Sequence, residues 1–269
     1  MTRVIVAGAA GRMGRRIAHM VDQHPALTLA GGFEQPTSPE VGRDIGAVSG
    51  FGATGVMIVG SPQEVLDQGE VIIDFTFHEA TMKLARLAAA RGTAMVIGTT
   101  GLTAENLAEL KELSANFPCV QSPNMAVGVN VLFKVARKMA AILGDAYDIE
   151  IVEAHHRMKK DAPSGTALKL GEMVAEGVKR DLAQVGVYSR HGMIGARTDQ
   201  EIGIQTIRAG DIVGEHTVYF AGAGERLEIT HRAHSRDNFA RGAALAAAWV
   251  AKQPNGLYSM FDVLNLQDF

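Results

Sequence analysis

The densest group of chemically capable side chains is Glu153-Ala154-His155-His156-Arg157-Met158-Lys159-Lys160-Asp161-Ala162-Pro163-Ser164-Gly165-Thr166-Ala167. Histidine titrates near ~6.5 and donates a proton at neutral pH, and lysines beside it neutralise carboxylates or lend a proton when desolvated. Ser164-Gly165-Thr166 adds hydroxyls and backbone N–H groups at a helix start, which suits a dianion. The implied chemistry is proton donation beside an anion cradle, with a small carboxylic acid as ligand. Taken singly, each part has a plain structural reading: a packed histidine, a solvated Lys-Lys face, a helix cap. Their coincidence in one stretch favours a site. A metal centre is the other reading, and none is expected. His155-His156 lacks the i,i+4 helical spacing, and no cysteine or carboxylate pattern accompanies His191, His231 and His234, even if these converge in space.

A second constellation is Gly8-Ala9-Ala10-Gly11-Arg12-Met13-Gly14, placed between a first β-rich run and a first helical pattern. Glycine lets the backbone turn tightly and approach a pyrophosphate, while helix N–H groups and the positive dipole end favour the anion. Glu34, about 20 residues beyond Gly14, stands where an acid accepts bonds from ribose hydroxyls. The glycines also serve close packing of helix on strand, but strand, loop, helix and Glu34 together predict a bound dinucleotide. The spacing is Gly-x-x-Gly-x-x-Gly, a variant of the commoner Gly-x-Gly-x-x-Gly.

The elements that must position these groups follow a repeated pattern. β-rich runs at 4–7, 27–33, 56–59, 71–75, 94–97 and 118–121 alternate with amphipathic stretches such as 12–23, 80–91 and 104–115, which predicts a parallel, doubly wound α/β sheet. After Asn124 the pattern changes to a helix over 127–143, a strand over 148–156, a helix from about Pro163, and β-rich runs at 202–208, 216–220 and 227–231. These predict a mixed or antiparallel sheet in a second, α+β domain. No fixed-period repeat is visible, which excludes a solenoid.

Composition narrows the function classes. The 26 Lys and Arg against 29 Asp and Glu give a formal charge of -3 with no long basic run, so no nucleic acid partner is expected. The one cysteine, Cys119, cannot form an internal disulfide, which fits a reducing, cytoplasmic compartment. No signal peptide is expected, because a strand follows Met1-Thr2-Arg3 directly. The longest apolar run, 242–251, has about half the ~20 residues of a membrane span and reads as a buried helix, so no membrane contact is expected.

The stretch from Glu153 to Ala167 resembles the signature of the 4-hydroxy-tetrahydrodipicolinate (dihydrodipicolinate) reductase family. The likeness continues in Gly8 to Gly14, Ile72-Ile73-Asp74-Phe75-Thr76, Val96-Ile97-Gly98-Thr99-Thr100-Gly101, Val127-Gly128-Val129-Asn130, Arg208-Ala209-Gly210-Asp211-Ile212-Val213-Gly214-Glu215-His216 and Arg226-Leu227-Glu228-Ile229-Thr230-His231, nearly the whole chain. The resemblance implies hydride transfer from NADH or NADPH to C4 of a cyclic dicarboxylate, with a protein acid protonating the adjacent carbon. It further implies His155 as proton donor or acceptor, Lys159 as second donor, and His156, Gly165 and Thr166 as binders of substrate carboxylates. Gly8, Ala9, Ala10, Gly11, Arg12, Met13 and Glu34 would hold the adenosine diphosphate; Gly98, Thr99, Thr100, Ser122, Pro123, Asn124 and Met125 would border the nicotinamide. By the same resemblance, a Rossmann-type dinucleotide domain, 1–126, is rejoined by 236–269, while 127–235 binds substrate and builds a homotetramer.

Three departures from the family pattern stand out. Gln35 occupies a position where members that accept NADPH often carry Arg, and without a cation for the 2'-phosphate NADH preference is expected. Ser122-Pro123-Asn124-Met125 keeps the asparagine but loses an aromatic, and Phe77-His78 replaces a more usual basic or polar residue and proline. The alternatives are another Rossmann dehydrogenase and a non-catalytic dinucleotide sensor. A thioester-forming semialdehyde dehydrogenase needs a nucleophilic cysteine, for which Cys119 in its apolar run is ill placed, and a sensor needs no histidine-lysine cluster.

Overall fold

Short β-branched runs bounded by turns become strands in the computed structural model, which describes residues 1–267 and 269. The chain runs through β1 (Thr2–Ala7), α1 (Arg12–Asp22), β2 (Leu27–Phe33), α2 (Ile45–Ser49), β3 (Ile58–Val59), β4 (Val71–Asp74), α3 (His78–Arg91), β5 (Ala94–Ile97), α4 (Ala104–Leu113), β6 (Pro118–Gln121) and α5 (Val127–Leu143). Then come β7 (Asp148–His155), α6 (Gly165–Gly177), α7 (Leu182–Val185), β8 (Gly186–Val187), β9 (Ile202–Arg208), β10 (Gly214–Gly222) and β11 (Glu225–Ala233). The last elements are α8 (Asp237–Val250), β12 (Gly256–Tyr258) and α9 (Met260–Val263). Two compact units result, one of Met1–Val127 with Arg236–Gln267, the other built on Gly128–Ser235. Asp268, within the expected return segment 236–269, lies outside the described residues.

The first unit holds a seven-stranded sheet in the order β12-β6-β5-β4-β1-β2-β3, with every pair parallel. Its six N-terminal strands have the Rossmann order, and the predicted doubly wound sheet is present. Alternate side chains supply two apolar layers. Val4, Val6, Val71, Ile73, Val96 and Val120 share one core with Ile17 and Val21 of α1 and with Ala243 and Ala247 of α8. Ile5, Ile72, Met95, Ile97 and Cys119 share the other with Met82, Ala85 and Ala88 of α3, Leu110 of α4, and Phe117. Both faces are covered, which is why residues 71–73 of β4 and the whole of β5 read as apolar runs. The expected strand at 56–59 shrinks to Ile58–Val59. Asp44 gathers the backbone N–H groups of Gly46, Ala47, Thr54 and Gly55, and the turn so fixed pairs Met57 with Asp44 in an isolated antiparallel bridge.

The second unit holds a five-stranded mixed sheet, β11-β10-β7-β9-β8, as the mixed reading anticipated. β10 runs antiparallel to β7 and β11, while β7, β9 and β8 are mutually parallel neighbours. Ile149, Ile151, Ile202, Ile204, Val218 and Phe220 are buried from the sheet, and Ala167, Leu170 and Val174 from α6. One register step beyond Ile151, the pairing aligns Thr206, Glu153, His216 and His231 in a row across four strands, on one face. α6 begins at Gly165, not at Pro163, because Ser164 is its N-cap and takes the Ala167 N–H on its hydroxyl.

Candidate active site

The polar row places Glu153 at the centre of a buried cluster. Its side chain has no solvent exposure, and His155 two residues on, at the end of β7, is also buried. Glu153 Oε2 lies 2.5 Å from His155 Nδ1 and accepts from Arg208 Nη1 at 2.8 Å. Oε1 accepts from Arg208 Nη2 at 2.8 Å, from the Ser164 backbone N–H at 2.9 Å and from Thr206 Oγ1 at 3.2 Å. Burial opposes charge on this carboxylate, but the bonds from His155, Arg208 and Ser164 outweigh it and hold Glu153 well below the usual carboxylate range. His216 sits edge-on to His155, with ring centroids 5.2 Å apart, and its Nε2 meets Ser164 Oγ at 3.2 Å. Burial, reinforced by the charge of His155, pushes His216 down to about 3, so its ring is neutral at physiological pH.

The groups expected to bind a dicarboxylate lie on the loop and helix that follow. Lys159 Nζ pairs with Asp161 Oδ1 at 2.9 Å, and Asp161 is held below its ordinary range by that pair and by Arg208, against the opposing effect of burial. Arg208 Nη2 also donates to the Asp161 carbonyl at 2.6 Å, which ties this loop to β9. Gly165 opens the first turn of α6 into clear space, with Thr166 beside it and Ser164 buried beneath. A helix N-terminus of this length attracts anions. One carboxylate, Glu153, thus bonds both the candidate proton donor and the N-cap of the candidate anion cradle.

In the first unit the glycine loop fits a dinucleotide. Gly8 adopts a left-handed φ of +62°, and a β-carbon at Gly14 would fall 2.0 Å from the Gly8 carbonyl oxygen. No other residue permits both this turn and this approach of α1 to the loop. Glu34, at the end of β2, reaches the loop and accepts the Ala10 N–H at 3.0 Å, so the two predicted parts come together. At the end of β4, buried Asp74 accepts from Thr76 Oγ1 at 2.6 Å and Thr81 Oγ1 at 2.5 Å, and Thr81 bonds Thr99 Oγ1 at 2.9 Å. Burial raises the Asp74 pKa, and these hydroxyls offset part of the rise. This web fixes the loop of Gly98, Thr99 and Thr100. Ser122 bonds the Met260 N–H through its hydroxyl at 3.0 Å, and Met125 is buried in the core. Both are buried as whole residues. Asn124 Oδ1 caps the Ala126 N–H at 2.9 Å, Pro123 is exposed, and Arg12 and Gln35 are exposed near the loop and after Glu34. Cys119 lies in an apolar core layer, and burial pushes its thiol far above the ordinary range, which rules it out as a nucleophile.

Glu153, Arg208, Thr206, His216 and Asp74 were not singled out as functional residues by sequence reasoning. For Glu153 a signal existed: an acid two residues before a histidine on a strand shares its face. Arg208 and His216 stand at the ends of a stretch that shares the family likeness, but nothing local gives their partners, since they reach Glu153 and Ser164 from other strands, 55 and 52 residues away in the chain.

A family model described as dihydrodipicolinate reductase, N-terminus, matches residues 2–125, and one described as dihydrodipicolinate reductase, C-terminus, matches 128–264. The 4-hydroxy-tetrahydrodipicolinate reductase of Desulfotalea psychrophila is 68% identical over the full length of both chains. That of Syntrophobacter fumaroxidans is 56% identical, covering 99% of this chain and 100% of its own. A dipicolinate-bound dihydrodipicolinate reductase from Paenisporosarcina sp. TG-14 superposes with a TM-score of 0.77 at 26% identity over 99% of each chain.

Proposed function

The chain belongs to the dihydrodipicolinate reductase family, and from that premise we propose that it reduces 4-hydroxy-tetrahydrodipicolinate to tetrahydrodipicolinate with His155 as the proton donor. The reaction belongs to lysine and diaminopimelate biosynthesis. Its product lacks the 4-hydroxyl, so water leaves while one hydride and one proton are taken up. Bound NADH or NADPH supplies the hydride at C4. One observation carries the donor assignment: Glu153 bonds His155 Nδ1 at 2.5 Å and the Ser164 N–H at 2.9 Å, so an oriented imidazole and a helix-borne anion cradle share one carboxylate.

In this reading His155 protonates the carbon next to C4, while Lys159 stabilises the negative charge that develops on the ring and acts as second donor. His156, Gly165 and Thr166 bind the substrate carboxylates. Gly8, Ala9, Ala10, Gly11, Arg12, Met13 and Glu34 hold the adenosine diphosphate; Gly98, Thr99, Thr100, Ser122, Pro123, Asn124 and Met125 border the nicotinamide. Gln35 offers no cation to a 2'-phosphate, which favours NADH. Residues 1–126 with 236–269 form the dinucleotide domain, and 127–235 bind substrate and assemble a homotetramer in the cytoplasm. The exposed edge strand β11 supports assembly, since an open edge invites pairing.

The test is dinucleotide oxidation with substrate generated in place by dihydrodipicolinate synthase from pyruvate and aspartate semialdehyde. Turnover is expected with both dinucleotides, with the larger kcat/KM for NADH. Equal efficiencies overturn the NADH preference alone. Tight dinucleotide binding without turnover overturns the reductase reading and restores the sensor.

A further inference from the structure

We propose that Glu153, gripped by Arg208, is the positioning residue of the proton donor: it accepts from His155 Nδ1 and so presents Nε2 as the nitrogen that carries the transferred proton. The proposal rests on His155 being the donor. Among the described residues, the carboxylate of Glu153 is hydrogen-bonded by donors: His155 and both Nη atoms of Arg208, the Ser164 N–H and Thr206 Oγ1. A carboxylate held in a guanidinium fork stays an acceptor. It therefore retains the Nδ1 proton on the ring without taking it, as an orienting carboxylate does in a hydrolytic triad.

With Nδ1 committed, Nε2 is the ring nitrogen left for substrate. A β-carbon at Gly214 would lie 3.0 Å from that atom, so the glycine keeps it clear of a neighbouring side chain. The other groups around the ring leave the role intact. His216 meets it edge-on and is neutral through burial, and the Lys159 charge is paired with Asp161. In the step itself the Nε2–H bond breaks, its proton forms the new C–H bond next to C4, and the electron pair stays on Nε2. His155 ends neutral, with Nδ1–H still on Glu153.

Glu153→Gln tests this because the amide cannot serve both neighbours. An NH2 in place of Oε2 meets Arg208 Nη1 and faces Nδ1, where it selects the Nε2–H tautomer; in place of Oε1 it confronts Arg208 Nη2 and the Ser164 N–H. The expected result is a kcat lowered by roughly 10²-fold or more with KM within a few-fold, and a Glu153→Gln/His155→Ala double variant no slower than His155→Ala alone. Wild-type kcat in Glu153→Gln beside an impaired His155→Ala overturns the positioning role and leaves the donor assignment standing. Wild-type kcat in His155→Ala overturns the donor assignment itself. Losses that multiply in the double variant assign Glu153 to structure alone and also overturn the proposal. A measurement on the unmodified enzyme stands independent of folding defects: nitrogen-15 NMR of neutral His155 is expected to show protonated Nδ1, and a protonated Nε2 contradicts the proposal.

Discussion

His216 shows at the scale of one residue how the buried cluster sets an acid limit on the fold. Its folded pKa of about 3 lies below the 6.5 of an ordinary histidine, chiefly through burial, so the unfolded chain binds a proton first as pH falls. The stability owed to the neutral ring is complete above about 6.5 and declines as pH drops toward 3. Glu153 and Asp161, both held below their ordinary range despite burial, add losses only at lower pH, where carboxylates begin to protonate in the unfolded chain. Urea unfolding should therefore show stability falling on acidification already between neutrality and the carboxylate range, and His216→Gln should flatten that upper portion. Parallel curves for the two proteins would contradict the assignment. Glu153 to Ala167 and Gly8 to Gly14 were legible as candidate stretches because each is contiguous. What holds His155 in place was not, since the Arg208 fork arrives from β9 and the His216 ring from β10.

Among the elements, α6 is the one whose start matters most to the chemistry. Ser164 closes its first turn by accepting the Ala167 N–H, sends its own N–H to Glu153 and meets His216 with its hydroxyl. Ser164→Ala removes a cap and leaves His216 Nε2 without that bond. It should cost about 1 kcal/mol by chemical denaturation and raise the KM for substrate as the cradle loosens. Unchanged stability and KM would show that the hydroxyl does neither. Long periodic elements such as α1, α3 and α4 were legible from their spacing. The five-residue α2, four-residue α7 and two-residue β8 were not, because pieces so short carry no period and exist through neighbours, as α2 does through the Asp44 cap. β12 was likewise invisible, since its three residues become a strand only by pairing with β6.

At the scale of the molecule, alternating β and helical runs announced one parallel α/β sheet, and the change after Asn124 announced a second, mixed one. The order of strands in either was not written locally, because pairing depends on which distant apolar faces bury one another. Assembly belongs to this scale. Light scattering on the purified protein should give the mass of four chains, and a monomeric mass would contradict the tetramer. The central claim, that this reductase draws its proton from His155, is tested most directly by the kcat of His155→Ala against wild type under saturating dinucleotide. A fall of roughly 10²-fold or more with dinucleotide affinity intact is the predicted result, and wild-type turnover in that variant would contradict it.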